Sequence, residues 1–341
     1  MRAAVFPKPE VCQTVERDLP APAEREALIR VEACGVCGTD AHVYRGHFPA
    51  SFPLVAGHEF AGVVEEIGAD VLHLQPGDHV TLDPNIPCGA CRACRRGLTH
   101  LCRDLSAIGV TQDGGFATHC LAPARQCYKV PESVPFALAA MTEPVACCVH
   151  GIDRADVRPG AVVALIGAGT IGLILLQLAR LQGAAVTIVS EPNPEKRQQA
   201  ETLGASRTVD PSAEDLRSSV MQATEGWGAD VVIECVGSER TAQQALDLVG
   251  DGGSVLLFGV APEAARVAVS PFEIYRKEIR VTGSFTNPFT HGRALDLISS
   301  GRLALGQLIS HRLPLDEVVQ GIELLESGGA TKVIIEPQRA S

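Results

Sequence analysis

Ala161-Val162-Val163-Ala164-Leu165-Ile166-Gly167-Ala168-Gly169-Thr170-Ile171-Gly172 is the stretch on which the fold turns. An apolar run of strand length, Ala161–Ile166, passes directly into G-x-G-x-x-G, and Ile171–Gln182 then reads as a helix. Gly167 permits a tight turn, Gly169 lets a pyrophosphate approach the backbone, and Gly172 allows close packing of helix on strand. The helix start, with Thr170 and Ile171, supplies partial positive charge to the phosphates. The next strand, Ala185–Ser190, ends on Glu191, a carboxylate placed to accept hydrogen bonds from ribose hydroxyls and to repel a 2′-phosphate. Strand, helix and carboxylate fall where a bound dinucleotide needs them, which a plain glycine turn would not require. NAD is therefore the expected cofactor. Lys196 and Arg197 lie close behind Glu191 and could instead hold a phosphate, so NADP stays open.

Outward from this stretch the same rhythm continues. Glu195–Leu203 reads as a helix, Val231–Cys235 as a strand, Arg240–Val249 as a helix and Ser254–Phe258 as a strand. Residues 146–285 thus form a doubly wound parallel-sheet domain of the Rossmann kind. Residues 1–145 differ, being rich in Gly, Pro, Cys and His, with short strand-like runs at Ala27–Ala33, Gly62–Ile67 and His79–Leu82. The last stretch, 286–341, mixes helices (His291–Ser300, Leu315–Ser327) with a closing strand, Lys332–Ile335. The class is α/β.

At 341 residues the chain has room for two domains and a sizeable core. Its net charge of −11 would repel a phosphate backbone, which argues against nucleic-acid binding. No apolar run suits a membrane span, since Ala161–Leu181 is broken by the glycines of the motif, and Met1–Pro9 lacks the pattern of a signal peptide. A cytoplasmic location is expected, and there the 12 cysteines read as metal ligands and thiols instead of a disulfide framework.

Cys88, Cys91, Cys94 and Cys102 follow C-x2-C-x2-C-x7-C within a Pro- and Gly-rich segment. Four converging thiolates make a closed tetrahedral shell, the form of a structural zinc site with no position left for substrate. Free thiols or an iron–sulfur centre are the alternatives. A second set is dispersed: Cys37 in Gly35-Val36-Cys37-Gly38-Thr39-Asp40, His58 and Glu59 after Gly57, and Glu143 in Thr142-Glu143-Pro144. Singly each has a bland reading as a buried thiol or a polar contact. Together, expected in turns where side chains can converge, they are suitable ligands for a catalytic zinc with one open position.

The order Cys37-Gly-Thr-Asp, Gly57-His58-Glu59, four-cysteine loop, Glu143-Pro144, Gly167-x-Gly-x-x-Gly resembles the zinc-dependent medium-chain dehydrogenases over essentially the whole chain. The resemblance implies a GroES-like β-rich catalytic domain (1–145 and 286–341) and a Rossmann nucleotide domain. It implies Cys37 and His58 as zinc ligands, with Glu59 a neighbouring carboxylate or transient ligand. Glu143 stands where the sorbitol and threonine dehydrogenase branches carry glutamate, which moves the expected substrate from simple alcohols to polyols. The implied chemistry is Lewis-acid lowering of the alcohol's pKa, hydride transfer to the nicotinamide, and a proton relay through Thr39 and His42.

Phe258-Gly259-Val260 matches the loop expected to border the nicotinamide. Phe285-Thr286-Asn287 lacks the arginine usual at that place in sorbitol-type enzymes, which puts sorbitol itself in doubt. The small-molecule substrate is expected to be selected by side chains near Tyr44, Phe48, Phe116 and Phe285–Asn287. Oxidation of a secondary alcohol of a polyol to a ketose is the leading expectation. L-threonine 3-dehydrogenase, 2,3-butanediol dehydrogenase and sugar-alcohol-phosphate dehydrogenase are alternatives within the class. Outside it stand a quinone-reductase-like or crystallin-like nucleotide binder and a zinc-stapled interaction protein. A homo-oligomer, tetramer before dimer, is expected from the family.

Overall fold

The computed structural model describes residues 1–47 and 50–339. They divide into two compact units, Met1–Ala146 with Pro288–Ser341, and Cys147–Asn287. In the second unit, six strands run in the order Arg207–Val209, Val186–Ser190, Val162–Ile166, Ala229–Glu234, Val249–Leu257, Arg280–Gly283. All their pairings are parallel. The order turns back at Val162–Ile166, the doubly wound pattern whose ligands lie at the carboxyl ends of the strands. The central strands are apolar on both faces, as a sheet covered on both sides requires. Ala164, Ile166, Ile188, Val232 and Val255 share one core cluster.

The sequence reading found most of this sheet and missed its edges. Arg207–Val209 is three residues long and Arg280–Gly283 is largely exposed, so neither carries the apolar run by which a buried strand is read. The helix at the glycine motif spans Thr170–Leu181, with Gly169 as its N-cap.

The first unit is built mainly from antiparallel strands. Val11–Glu16, Arg2–Lys8 and Leu54–Val55 form one small sheet. A larger one runs Cys127–Lys129, His79–Leu82, Glu59–Ile67, Glu26–Gly35, Lys332–Glu336, Ile309–Pro314, with His119–Pro123 also paired to Glu26–Gly35. Glu26–Gly35 is central, and its alternating burial places Ala27, Ile29, Val31 and Ala33 inside. The C-terminal segment adds a strand to this sheet, with Ile334 opposite Gly35 and Ile335 opposite Cys34. Among the described residues no helix is long and apolar enough to cross a membrane.

Candidate metal centres and nucleotide site

The register of three strands builds the first centre. Gly35 lies opposite Glu59 on one side and Ile334 on the other, so Lys332, two residues before Ile334, reaches the same place. A Cβ at Gly35 would collide with the Glu59 carboxylate and stand 2.9 Å from Lys332 Cε, so only glycine leaves room for both side chains. Beside this glycine the chain turns at Cys37 into the short helix Gly38–Tyr44, and Asp40 in its first turn accepts a hydrogen bond from the Cys37 amide at 2.8 Å.

Cys37 Sγ, a His58 ring nitrogen and a Glu59 carboxylate oxygen lie within 4.8 Å of one another. His58 and Glu59 are buried and Cys37 is half-buried. A sulfur, a nitrogen and an oxygen converging from two segments fit a zinc ion that keeps a further position open. Asp40, fully buried, stands 3.4 Å from His58 Nδ1 and also accepts from the Gly57 amide at 3.3 Å. It thereby fixes the turn that carries His58 and sets a carboxylate beside the ring. Burial opposes a charge on His58, but Asp40 and then Cys37 outweigh it and raise its pKa well above the usual value.

Lys332 was not among the residues singled out from the sequence. The residue is 2% exposed, and its ammonium pairs with Glu59 and donates to the Val36 carbonyl at 3.0 Å. Burial would discharge it, yet Glu59 and Cys37 keep its pKa above normal. Glu59 stands in the expected set, and its carboxylate is in addition tied to this buried cation. Glu143 is placed differently from expectation. It lies in the first turn of helix Thr142–Ala155, not in a turn, is buried, and does not belong to the convergent set.

Of the relay residues, Thr39 has its hydroxyl 3.8 Å from Cys37 Sγ, whereas His42 is exposed on the helix with its ring 6.4 Å from that of His47. Two expected substrate-facing side chains belong to the core. Phe116 is fully buried, and Tyr44 donates to the Glu10 carbonyl at 3.0 Å while packing on Phe6. Phe48 lies outside the described residues.

The second centre gathers Cys88, Cys91, Cys94 and Cys102, whose sulfurs all lie within 4.8 Å of one another. Cys91 Sγ stands 3.6 Å from Cys94 Sγ and 3.9 Å from Cys102 Sγ. A tetrahedral shell with zinc–sulfur bonds of about 2.3 Å would space its sulfurs by about 3.8 Å. The chain reaches this geometry through left-handed glycines at Gly89 (φ 72°) and Gly97 (φ 76°) and a four-residue helix, Arg92–Arg95. The amides of Cys94 and Arg103 donate to Cys91 and bring its thiol down to about 6, so a thiolate forms readily there. Among the described residues no cysteine is in a disulfide.

In the second unit, Gly167 has φ 101°, and space is open where a Cβ on Gly169 would point. No side chain caps Gly169, so the amides at the start of a 12-residue helix remain available to an anion. A Cβ on Gly172 would collide with the Gly167 carbonyl. Glu191 is buried, and its two oxygens accept from Ala168 N at 2.8 Å and Asn193 N at 2.9 Å. It is therefore a pin of the glycine loop as well as the carboxylate at the strand end. Arg197 is held by the Glu191 and Pro192 carbonyls and by Asp210 at 3.1 Å. Lys196 sits half-buried in the first turn of helix Pro194–Thr202. Phe258 packs its ring against Gly151, leaving Gly259 and the exposed Val260 at the loop tip, and Phe285 is exposed beyond the last strand.

Comparison with known proteins gives the family. Residues 23–132 match the alcohol dehydrogenase GroES-like domain, and residues 170–300 match the zinc-binding dehydrogenase domain. The chain is 38% identical to D-altritol 5-dehydrogenase of Agrobacterium fabrum, over 86% of each chain. It is 35% identical to L-threonine 3-dehydrogenase of Pyrococcus horikoshii, over 94% of each. Among solved structures it is similar to one from Sinorhizobium meliloti, described as a zinc-binding dehydrogenase bound to NADP. The TM-score is 0.96 at 42% identity, covering 98% of this chain and 99% of that one.

Proposed function

The chain belongs to the zinc-binding alcohol dehydrogenases with a GroES-like domain, and we propose that it oxidises a secondary alcohol of a polyol to a ketose with NAD. The observation that carries this reading is the convergence of Cys37, His58 and Glu59, in a chain that also holds an open glycine cradle for a dinucleotide. Zinc bound at this set would supply Lewis-acid polarisation of the alcohol oxygen. Cys37 and His58 would hold the ion, with the Asp40 carboxylate beside the imidazole. The Glu59–Lys332 pair backs the set with a carboxylate whose position is fixed. Thr39, beside Cys37, is the hydroxyl that takes the alcohol's proton first, and exposed His42 passes it to water. Glu143, outside that set of three, enters as a ligand only through the resemblance of Thr142-Glu143-Pro144 to the family order. Similarity to D-altritol 5-dehydrogenase favours a polyol, and similarity to a threonine dehydrogenase makes L-threonine the second substrate to test.

Glu191 favours NAD, because its charge stands where a 2′-phosphate would approach. The structural relative that binds NADP makes Lys196 the residue that would oppose this preference. The closing zinc at Cys88, Cys91, Cys94 and Cys102 is structural. The free thiols fit the cytoplasm, and a homo-oligomer is the working state, a tetramer before a dimer.

Reduction of NAD and of NADP by the zinc-loaded protein, measured with altritol, arabitol, sorbitol, xylitol, 2,3-butanediol and L-threonine, tests the reading. Turnover of a polyol with NAD, in protein carrying about two zinc ions per chain, is the expected result. Activity confined to threonine would overturn the substrate class, and zinc-free protein with equal activity would overturn the metal assignment.

A further inference from the structure

We infer that Glu234 is a positioning residue for the nicotinamide half of the dinucleotide, which rests on the dinucleotide reading above. Ala229–Glu234 is the strand beside Val162–Ile166 on the far side of the point where the strand order turns back. In a sheet of this order each half of a dinucleotide lies over one set of three strands, at their carboxyl ends. The adenosine half is served by the glycine loop, pinned from below by Glu191. Glu234 ends its strand at the corresponding place in the other half.

Glu234 is 1% exposed, yet no lysine or arginine pairs with it among the described residues. Its Oε1 instead accepts from Val236 N at 2.7 Å, Gly237 N at 2.8 Å and Thr241 Oγ1 at 2.8 Å. Its backbone carbonyl accepts from Phe258 N and Gly259 N, both at 2.9 Å. One residue thus ties together the loop after the fourth strand and the loop after the fifth. The two loops interlock closely. Gly237 has φ 79°, a Cβ there would collide with the Val260 backbone, and a Cβ on Gly259 would collide with Gly237 N. The exposed side chains of these loops are Val236 and Val260, at 53% and 80%. Two exposed valines thus cap the loops that this buried carboxylate ties together. They make an apolar floor suited to a flat, weakly polar ring. Val236 also touches the phosphate cradle, since a Cβ on Gly167 would stand 2.9 Å from its Cγ2. Hydrogen bonds to an ionised acceptor are about twice as strong as neutral ones, which suits a carboxylate to holding three donors at one atom.

The test compares dissociation constants for NADH and for ADP-ribose, which keeps the adenosine and pyrophosphate but lacks the nicotinamide. They are measured by titration calorimetry on the intact protein. For Glu234→Gln, NADH binding should weaken about tenfold while ADP-ribose binding changes less than about twofold. Gly237→Ala, which keeps the carboxylate but forces apart the two loops it ties, should show the same selectivity and decides the matter if the first variant does not fold. Equal weakening for both probes would show a general structural role and overturn the inference, as would no weakening for either. Wild-type protein that binds neither probe would instead overturn the dinucleotide reading itself.

Discussion

At the scale of single residues, the Glu59–Lys332 pair shows what sequence cannot disclose. Glu59 was readable because it adjoins His58 in a Gly-His-Glu triplet. Lys332 was not, because 273 positions separate the partners and a lone lysine before an apolar run looks like an ordinary strand start. Only the register that sets Ile334 and Glu59 on either side of Gly35 brings them together. A buried pair of this kind is costly to break from one side, about 3–5 kcal/mol, because the remaining charge is left unpaired. Glu59→Ala should therefore destabilise the protein by that amount, while Glu59→Ala with Lys332→Met should regain most of the loss. Denaturant unfolding of the three variants measures it. A double variant no more stable than Glu59→Ala alone would show that the pair is not what holds this corner. Cys37→Ala makes a different prediction. Turnover should vanish while NADH binding stays within about twofold of wild type, since the glycine cradle belongs to the other unit. Loss of both would point to misfolding.

Elements were legible in proportion to how local their signals are. The glycine motif, its strand and its helix depend on neighbours within a few positions, and the structure places them within a residue or so of the reading. Glu143 is legible only through the family order, which says nothing of its place in the first turn of a helix. The start of helix His291–Ser299 was also read, but not the burial of its first residue. His291 is fully buried against Tyr128, ring centroids 4.7 Å apart, and neither ring nitrogen has a hydrogen-bond partner among the described residues. Burial depresses its pKa to about 3. An unfolded histidine titrates near about 6.5, so between those values the unfolded chain binds the extra proton and stability falls as pH is lowered. At pH 5 the cost of this one group is about 2 kcal/mol. His291→Phe keeps a ring of similar shape and removes the group, so it should lose about 2 kcal/mol less than wild type between pH 7 and pH 5. Denaturation midpoints at the two pH values decide it, and equal losses would show that His291 does not contribute to acid sensitivity.

At the scale of the whole molecule, the surface of the second unit argues for self-association. Arg280–Gly283 is the last strand of its sheet, with no strand on its outer side among the described residues. Near it in sequence stand Val269, Phe272, Tyr275 and Val281, exposed by 48%, 71%, 80% and 43%. A monomer seldom leaves large apolar and aromatic side chains concentrated in one short stretch, and an open strand edge beside them invites pairing with another chain. A second copy is the natural partner, because a two-fold axis makes one patch complementary to itself and sets identical edge strands antiparallel. Tyr275→Glu combined with Val281→Glu would place like charges opposite one another across such an axis. Light scattering should find wild-type protein as an oligomer and the double variant shifted to a smaller species, with zinc content unchanged because neither centre involves these residues. An oligomer that survives both substitutions would move the interface elsewhere. A wild-type monomer would leave the exposed aromatics to some other partner and remove the assembly from the proposed function.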